Sequence, residues 1–460
     1  MSLLKNLLKI IILLALTYGV GRFVVVFKDS RLTGERAPYI QTLTSDSVII
    51  HWLTEDAQLG VVRFGEKGKP LSNSKAESSA STNHIVKLTG LKAGTLYYYQ
   101  AGDVAENNWF YTQPDKAVAT RVWVIGDSGQ PGDMQNQVRD AAFNWMQENP
   151  LGMRENVKSL VDVWLALGDN AYRSGTNQQY QAGLFEPYKK LLSNTALWSV
   201  YGNHDDRRWA YFRIFDFPEN AEAGGIASNT ENYYSFNYSN IHFVMLDSQA
   251  SDRSKTGEMA SWLKRDLTQN KKTWVVAAFH HPPYTKGSHD SDDISDSRGR
   301  MQQMRENILP ILEAGGVDLV LSGHSHVYER SYLLDCSYGY SDEFSSTNIV
   351  SSGVNGKHLQ YLKPMVQEGS SKKEESKKND SVKEHKGAIY VVTGSSSKAD
   401  QGSLDHPAHH VALSEAGSVV IDVDGNKLIA RFINNKGLVH DEFSITKKIE
   451  YVGNYQGCNN

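Results

Sequence analysis

The sequence predicts an α/β domain preceded by a small all-β sandwich. Residues 37–115 contain short alternating strands that are separated by turn residues, which is typical of a sandwich. From residue 119 to residue 448, apolar strands alternate with helical stretches, which is typical of an α/β domain. A length of 460 residues is also too great for one ordinary core, and it favours two domains.

The first 30 residues are set apart by their hydrophobicity. Lys5 and Lys9 flank the start of a long apolar stretch that is interrupted by Arg22. This arrangement is typical of a secretory signal peptide, and residues 7–27 are also long enough to cross a bilayer. A buried strand or helix is the third alternative. We expect residues 1–30 to be a cleaved signal peptide or a membrane anchor, which would make the protein secreted, periplasmic or membrane-anchored outside the cytoplasm.

The bulk composition narrows the classes of function. Hydrophobic residues make up 40% of the chain and charged residues 22%, which indicates a globular protein. The formal net charge of −4 leaves no basic excess to neutralise a nucleic-acid backbone, so we expect no nucleic-acid binding. Nothing in the composition indicates an oligomeric state.

Two cysteines, Cys336 and Cys458, are too few for a disulfide scaffold. In an exported chain they could pair and tie the C-terminus to the body of the protein. In a cytosolic chain they would be two thiols. Neither has the spacing of a zinc site.

The all-β region contains predicted strands at residues 47–52, 61–65, 84–88 and 95–99. The order Leu-x-x-Leu-x-x-Gly-x-x-Tyr-x-Tyr, which begins at Leu88, resembles a fibronectin-III-like module with its tyrosine corner. No catalytic constellation occurs here, so we expect this domain to act as a spacer or to flank the substrate.

The α/β region combines several kinds of segment. Five apolar strands are predicted at residues 121–125, 161–167, 196–201, 273–279 and 318–321. Helices are predicted at residues 133–148, 259–267 and 301–314. Residues 233–247 and 418–445 have the pattern of antiparallel hairpins, so we expect mixed sheets. Residues 367–386 contain almost no apolar side chain, which predicts a disordered surface insertion. A functional electrostatic tail is the alternative.

Each of the five strands is followed by a polar signature. The signatures are Gly126-Asp127-Ser128-Gly129, Gly168-Asp169-Asn170-Ala171-Tyr172, Gly202-Asn203-His204-Asp205, His280-His281-Pro282 and Gly323-His324-Ser325-His326. Ligands of open α/β sheets bind beyond the carboxyl ends of strands, so we expect these signatures to converge. The four glycines would permit sharp turns at the strand ends.

Carboxylate and amide oxygens, together with imidazoles and no nearby thiolate, suit iron, zinc or manganese. One carboxylate can bridge two such ions ~3.5–4 Å apart. Each signature alone has a simpler explanation, because an Asp after a strand is often a turn residue and a lone His is often packed or exposed. The ordered set of five is what indicates a dinuclear metal site.

These five signatures resemble those of the calcineurin-like metallophosphoesterases and, more closely, the purple acid phosphatases. The resemblance extends over about residues 37–445 and includes the β-sandwich. Asp127-Ser128-Gly129 in place of Asp-x-His, Tyr172 three residues after Asp169, and the block from His324 to Arg330 favour the purple acid phosphatase branch. The resemblance implies a four-layer αββα sandwich of mixed sheets for the catalytic domain, residues 119–448.

The resemblance also implies seven metal ligands in three sets. A ferric ion would be bound by Asp127, Tyr172 and His326. A second ion, Zn(II), Fe(II) or Mn(II), would be bound by Asn203, His280 and His324. Asp169 would bridge the two ions.

Further residues would contact the substrate. The resemblance makes His204 a catalytic residue that stabilises the transition state or protonates the leaving group. His281 would lie behind the ligands or contact phosphate, and Asn203 would also touch the substrate. His289 would be a further contact, although a solvated loop histidine is an equal alternative.

The implied reaction is hydrolysis of phosphate monoesters through attack by a metal-bound hydroxide. Diesterases and nucleotide pyrophosphatases or nucleotidases use similar motifs. A non-catalytic secreted binding protein is an alternative of another class, but it would be expected to have lost ligands. Asp205, Pro283 and the insertion at residues 367–386 depart from the family pattern, which leaves the substrate and the pH optimum open.

Overall fold

A computed structural model describes Thr17 and residues 32–103, 107–151, 159–205, 208–351, 359–364 and 387–448. For Arg208, residues 359–364 and Lys448, it describes the backbone alone. The predictions for residues 1–30 (Thr17 apart), for the insertion at residues 367–386 and for Cys458 lie outside the described residues. Within the described ranges, no helix has the length and apolar character that a membrane crossing requires. Cys336 is disulfide-bonded.

The N-terminal domain is a sandwich of two antiparallel sheets. One sheet has the order β1-β2-β5, with strands β1 (Arg36–Gln41), β2 (Ser47–Gln58) and β5 (Ser81–Thr89). The other has the order β4-β3-β6-β7, with strands β3 (Val61–Glu66), β4 (Asn73–Ala76), β6 (Leu96–Ala101) and β7 (Asn108–Tyr111). In β5, His84, Val86 and Leu88 are buried while the residues that alternate with Val86 and Leu88 are exposed. This two-residue period is what places one face of the strand in the core.

A tyrosine corner stabilises the turn that leads into β6. The hydroxyl of Tyr97 accepts a hydrogen bond from the backbone N–H of Lys92, at 3.0 Å. This is the contact that the sequence motif predicts, and it fixes the turn between β5 and β6.

Buried hydrogen bonds join the sandwich to the α/β domain. The hydroxyl of Tyr99 donates to the carbonyl of Ser193 at 2.7 Å, and the guanidinium of Arg36 donates to Asn177 Oδ1 at 2.7 Å. The sandwich therefore packs directly on the other domain, and its role as a spacer stays a prediction.

The α/β domain contains two mixed sheets. The first has seven strands in the order β10-β9-β8-β20-β21-β22-β17: β8 (Thr120–Ile125), β9 (Val163–Ala166), β10 (Leu197–Ser199), β17 (Leu359–Pro364), β20 (Gly417–Asp424), β21 (Lys427–Asn434) and β22 (Val439–Lys448). Strands β10, β9 and β8 are parallel, whereas β20, β21 and β22 form an antiparallel meander. The predicted hairpin at residues 418–445 is confirmed by this meander.

The second sheet has eight strands and also mixes directions. Its main path is β11-β12-β13-β14-β18-β15-β16, and β19 pairs with β15: β11 (Tyr234–Tyr238), β12 (Ile241–Met245), β13 (Trp274–Phe279), β14 (Leu319–Ser322), β15 (Tyr328–Leu334), β16 (Ile349–Ser351), β18 (Ala388–Thr393) and β19 (His409–Leu413). The predicted hairpin at residues 233–247 is present as antiparallel β11 and β12. Strands β12, β13, β14 and β18 are parallel neighbours, so their carboxyl ends lie along one edge.

Helices flank the two sheets. They are α1 (Asp133–Glu148), α2 (Asn177–Tyr180), α3 (Lys189–Leu192), α4 (Arg208–Ile214), α5 (Glu258–Gln269), α6 (Arg300–Gln303) and α7 (Leu309–Ala314). Two π-helical turns (Gln181–Phe185 and Met304–Ile308) and three 3-10 turns (Asp296–Gly299, Ser341–Glu343 and Ser346–Asn348) complete the set within the described residues.

The predicted helix at residues 301–314 is wrong as a single element. It is divided into α6, the π-helical turn Met304–Ile308 and α7. Pro310 lies in the first turn of α7. Because proline has no N–H and its ring clashes with the carbonyl four residues earlier, a regular α-helix cannot pass through this position.

Two clusters of buried apolar side chains form the core. One is continuous from the sandwich into the α/β domain and includes Tyr99, Trp123, Trp164 and Phe236. The other packs α5 and α7 against the eight-stranded sheet and includes Trp262. The α/β fold class with mixed sheets and an all-β N-terminal domain is therefore confirmed.

Candidate metal centre

The candidate centre lies where strand ends of both sheets meet. The backbone turns sharply at the polar residues themselves, because Asp127, Asp169 and His324 have φ values of 53°, 53° and 68°. Residues other than glycine rarely adopt this left-handed conformation, and such strain is concentrated at functional sites. These three turns direct the side chains of Asp127, Asp169 and His324 toward one shared space.

The glycines of the signatures have a different role from the predicted one. Only Gly168 among the four has a left-handed conformation, with φ of 89°. A Cβ atom at Gly202 would lie 2.2 Å from the backbone nitrogen of Asp169, and one at Gly323 would lie 2.5 Å from Asp127 Oδ2. These glycines are required because neighbouring loops approach closely, so the prediction of four turn-forming glycines was wrong for three of them.

One half of the centre is formed by Asp127, Tyr172 and His326. The hydroxyl of Tyr172 lies 3.2 Å from Asp127 Oδ1 and 3.4 Å from His326 Nε2. His326 Nε2 lies 3.5 Å from Asp127 Oδ1. Asp127 is fully buried, and its Oδ2 accepts a hydrogen bond from the backbone N–H of His324 at 2.7 Å.

The other half contains Asn203, His280 and His324. His280 Nε2 lies 2.9 Å from Asn203 Oδ1, and the rings of His280 and His324 have centroids 4.9 Å apart. All three residues come from strand ends, and the two histidines are buried.

Asp169 lies between the two halves. Its Oδ2 is 3.2 Å from the Tyr172 hydroxyl, and its Oδ1 is 3.5 Å from His280 Nε2. The backbone N–H of His204 also donates to Oδ1 at 2.7 Å. Burial raises the pKa of Asp169 above its ordinary value. Its position between the two groups is the one that a bridging carboxylate requires.

Each of the three histidines is held through one ring nitrogen. His280 Nδ1 donates to the carbonyl of Leu167 at 2.8 Å, and His326 Nδ1 donates to Asp400 Oδ2 at 2.6 Å. In these two rings the remaining nitrogen, Nε2, therefore carries a lone pair that faces the centre.

His324 is held by a serine instead. Ser297 Oγ donates to Asp296 at 2.7 Å, so the same hydroxyl accepts from His324 Nε2, at 2.6 Å. This leaves His324 Nδ1 as the unprotonated nitrogen. Burial and the neighbouring imidazoles also hold the pKa of His324 well below its ordinary value, which keeps the ring neutral.

The donor set fits metal ions. His280 Nε2 and Asn203 Oδ1 are both acceptors, yet they lie 2.9 Å apart. The single hydroxyl proton of Tyr172 cannot serve Asp127 and Asp169 together, and burial with these two carboxylates raises its pKa well above the ordinary value. Acceptors that converge in this way repel one another unless a cation lies between them. Three of these groups, from Asp127, Asp169 and His280, have ligand atoms within 4.8 Å of one another.

His204 lies at the exposed side of the centre. Its side chain is 36% exposed, its Nδ1 donates to the carbonyl of Arg173 at 2.8 Å, and its Nε2 lies 4.0 Å from Asp169 Oδ2. The ring also packs against Tyr172, with centroids 4.5 Å apart. Of the predicted substrate contacts, it is the most open to solvent.

His281 and His289 lie on the side of His324. His281 is buried, its Nδ1 lies 2.9 Å from Ser248 Oγ, and burial lowers its pKa well below the ordinary value. This burial favours a position behind the ligands over a contact with phosphate. His289 is partly exposed, stacks on His324 with centroids 3.9 Å apart, and donates from Nδ1 to Asp296.

Asp205 organises the loops of the centre. Its buried carboxylate accepts hydrogen bonds from the backbone N–H groups of Asp169, Asn170 and Gly202, and from the Tyr180 hydroxyl at 2.6 Å. Burial raises its pKa to about 7. The residue that departs from the family pattern therefore ties two of the signature loops together.

Sequence reasoning missed Asp400, Ser297, Asp296 and Ser248, which hold the histidines from outside. A signal for Asp400 was present, because β18 is a buried apolar strand followed by Gly394, as at the other strand ends. Asp296 and Ser297 lie in a 3-10 turn without a comparable pattern, and Ser248 follows the apolar strand β12 but without a glycine.

Comparisons with known proteins agree with this fold. The model of the calcineurin-like phosphoesterases matches residues 120–328, and that of the purple acid phosphatase N-terminal domain matches residues 38–114. The fold is that of the calcineurin-like phosphoesterases. This class implies a dinuclear metal site, and the structure brings together Asp and His groups that could hold a metal ion. Within this class, the chain is similar to the purple acid phosphatases, because its N-terminal domain matches theirs and the relatives named below carry that name.

Individual relatives are distant. The chain is 28% identical to Purple acid phosphatase 15 of Arabidopsis thaliana, over 62% of this chain and 62% of that protein. It is 26% identical to Probable purple acid phosphatase 20 of the same plant, over 70% of this chain and 74% of the relative. It is also 26% identical to Phosphoenolpyruvate phosphatase of Allium cepa, over 63% of this chain and 60% of that protein. The matched part thus spans less than two thirds of some relatives.

Solved structures share the fold. The purple acid phosphatase PPD1 from yellow lupin (Lupinus luteus) seeds has a TM-score of 0.64 at 16% identity, over 90% of this chain and 75% of that one. A structure of PhoD has a TM-score of 0.58 at 13% identity, over 86% of each chain. At such identities, the likeness extends to the fold alone.

Proposed function

We propose that the protein hydrolyses phosphate monoesters at a dinuclear metal centre. The observation that carries this proposal is the convergence of buried acceptor atoms at the strand ends. His280 Nε2 and Asn203 Oδ1 face each other at 2.9 Å, and the Tyr172 hydroxyl lies 3.2 Å from two carboxylates. All seven predicted ligands occupy this one region, which argues against a binding protein with an inert metal domain.

The geometry supports the two sets of ligands and the bridge that the family resemblance implies. Asp127, Tyr172 and His326 would hold one ion, Asn203, His280 and His324 the other, and Asp169 would bridge them. The first set carries one carboxylate and one phenol, whereas the second carries neutral groups. This difference in charge supports Fe(III) in the first position and Zn(II), Fe(II) or Mn(II) in the second.

When bound, the two ions would acidify a water molecule and neutralise charge on the phosphate. The chain supplies orientation and proton transfer. Asn203 and His204 border the open side of the centre, where the phosphate would lie. The carbonyl of Arg173 fixes the ring of His204 through Nδ1, so Nε2 is the atom that would donate a proton to the leaving group when the ring is in its imidazolium form. His289 would contact the phosphate from the side of His324.

Export is the proposed localisation. The disulfide at Cys336 supports an oxidising compartment. The charged and apolar start of the chain supports a secretory route. N-terminal sequencing of the mature protein would distinguish cleavage of residues 1–30 from retention of a membrane anchor.

The test of the proposed function is hydrolysis of p-nitrophenyl phosphate with and without a chelator. We expect turnover that is lost on metal removal and restored by iron with zinc. A parallel panel with a diester, a pyrophosphate and a nucleotide would show whether monoesters are preferred.

The substitution Asp169→Ala should reduce kcat/KM by more than about 10³-fold, because it removes the bridge. Asp140→Ala, on the exposed face of α1, is the matched control. Normal turnover in Asp169→Ala would exclude the bridging role, and higher activity on diesters would replace the monoester assignment.

A further inference from the structure

The loop after β18 brings Asp400 against the outer side of His326. Asp400 Oδ2 accepts from His326 Nδ1 at 2.6 Å, and the backbone N–H of Asp400 donates to the carbonyl of His326 at 2.9 Å. Two hydrogen bonds to the same residue hold both the ring and its backbone. Because Nδ1 carries the proton, Nε2 is fixed toward Asp127 and Tyr172.

His326 differs in this respect from the other two proposed histidine ligands. His280 donates its outer proton to a backbone carbonyl, that of Leu167. His324 donates to the hydroxyl of Ser297. A carboxylate that accepts directly from a ligand imidazole makes the ring a more basic donor than a carbonyl or a hydroxyl does.

The extra carboxylate adds to an existing difference in charge. The half of the centre with His326 already contains Asp127 and the phenol of Tyr172, whereas the other half contains Asn203 and two histidines with neutral outer partners. Lys398 Nζ lies 3.6 Å from Asp400 Oδ2 and 5.7 Å from the centroid of the Tyr172 ring, so part of this charge is balanced by the ammonium group. The ligand field that remains suits an ion of higher charge.

We propose that Asp400 is a positioning residue that acts through His326 to make the first metal position select and retain a trivalent ion. This inference rests on the proposed function, because it concerns the same centre. It adds a residue outside the seven proposed ligands. The role proposed for this residue is to determine which metal ion is bound, and not to contact the substrate.

The test uses the full-length protein with Asp400→Asn, which keeps the shape and a hydrogen-bond acceptor but removes the charge. Iron and zinc per chain are measured by elemental analysis, and the visible tyrosinate-to-iron band is recorded. We expect the apparent iron affinity to fall roughly 10- to 100-fold and the band to move in the iron that remains. Asp400→Glu should restore both signals.

Two further variants separate this role from a general effect on the loop. Asp405→Asn changes an exposed aspartate of the same loop, which contacts Ser403, and should match the wild-type protein. Ser297→Ala should reduce retention of the second ion and leave the visible band in place.

An Asp400→Asn protein with wild-type iron content and an unmoved band would overturn the inference. Failure of the proposed function is a different result, since it would appear as wild-type protein without phosphatase activity. An active wild-type enzyme that binds only divalent ions would overturn the assignment to Asp400 and leave the phosphatase proposal standing.

Discussion

Buried histidines in the two domains have opposite hydrogen-bonding patterns. In the sandwich, His84 Nδ1 lies 2.8 Å from Glu77 and its Nε2 lies 2.9 Å from Thr54, while the ring stacks on Trp52 with centroids 4.5 Å apart. In the metal centre, His326 is held through Nδ1 alone, and its Nε2 faces other acceptors. A histidine with both nitrogens satisfied has no lone pair for an ion, so His84 is structural.

The difference shows that residue type alone does not identify a ligand. The chain contains 15 histidines, and burial does not separate the two kinds. The two kinds of histidine differ in the surroundings of the second ring nitrogen. In a structural histidine this nitrogen has a hydrogen-bond partner, whereas in a candidate ligand it faces a space that other acceptor atoms also face. The comparison predicts that substitutions of histidines in the metal centre change the catalytic rate or the metal content. Substitution of the buried histidine in the sandwich should change the free energy of unfolding instead.

Among substitutions that leave the metal content unchanged, the largest effect is expected for His204→Gln. If Nε2 of His204 serves the leaving group, kcat should fall about 10²- to 10⁴-fold while metal content stays unchanged. Steady-state kinetics on p-nitrophenyl phosphate, together with elemental analysis, would measure this. His440→Gln is a matched control, because His440 has a similar exposure of 34% and pairs with Glu415. Equal losses in the two variants would remove His204 from the catalytic machinery.

The second prediction concerns Tyr172→Phe. The iron-loaded protein should lose its visible band, because the phenol oxygen that would donate charge to iron is absent. We expect the rate to change less than about 10-fold, since the ring still packs on His204 and Asp127, Asp169 and His326 remain. Absorbance spectra at equal iron content are the measurement. A band that persists in the variant would make Tyr172 a bystander and favour a centre without iron.

The third prediction moves to the sandwich, with His84→Ala. This change leaves a cavity beside Trp52 and removes two hydrogen bonds, so the free energy of unfolding should fall by about 2–4 kcal/mol. Kinetic constants measured well below the melting temperature should match those of the wild-type protein. For contrast, His280→Ala should lose metal and activity. Loss of metal in His84→Ala would contradict the distinction between the two kinds of histidine.

The smallest effect is expected for Tyr99→Phe, at the contact between the domains. Burial raises the pKa of Tyr99, so its hydroxyl stays protonated and donates to the carbonyl of Ser193 at 2.7 Å. Loss of one such bond should reduce the free energy of unfolding by about 1 kcal/mol. Chemical denaturation would measure the change. A fall in kcat/KM at full stability would show that the sandwich shapes the active site instead of serving as a spacer.

Much of the fold could be predicted from local patterns. The 16-residue helix α1 was predicted at its observed bounds, and the strands before Asp127 and His280 were predicted to within one residue. These elements depend on apolar periodicity, which is a property of the segment itself. The predicted helix at residues 301–314 was wrong as a single element, although Pro310 was visible in the sequence, because the effect of a proline depends on the carbonyl four residues earlier.

The sequence by itself determined the donor types, their order along the chain and their places at strand ends. It also contained the family resemblance that grouped the donors into two metal positions. These features are local, since an apolar strand followed by a polar turn is encoded within about ten residues.

Only the tertiary structure decided which ring nitrogen faces the centre, and it did so through partners that are distant in sequence. Asp400 and His326 are 74 residues apart, and Leu167 and His280 are 113 apart. The same is true of the glycines, whose missing side chains make room for loops from other strands. Such contacts form only when two sheets pack together, so no local pattern can predict them.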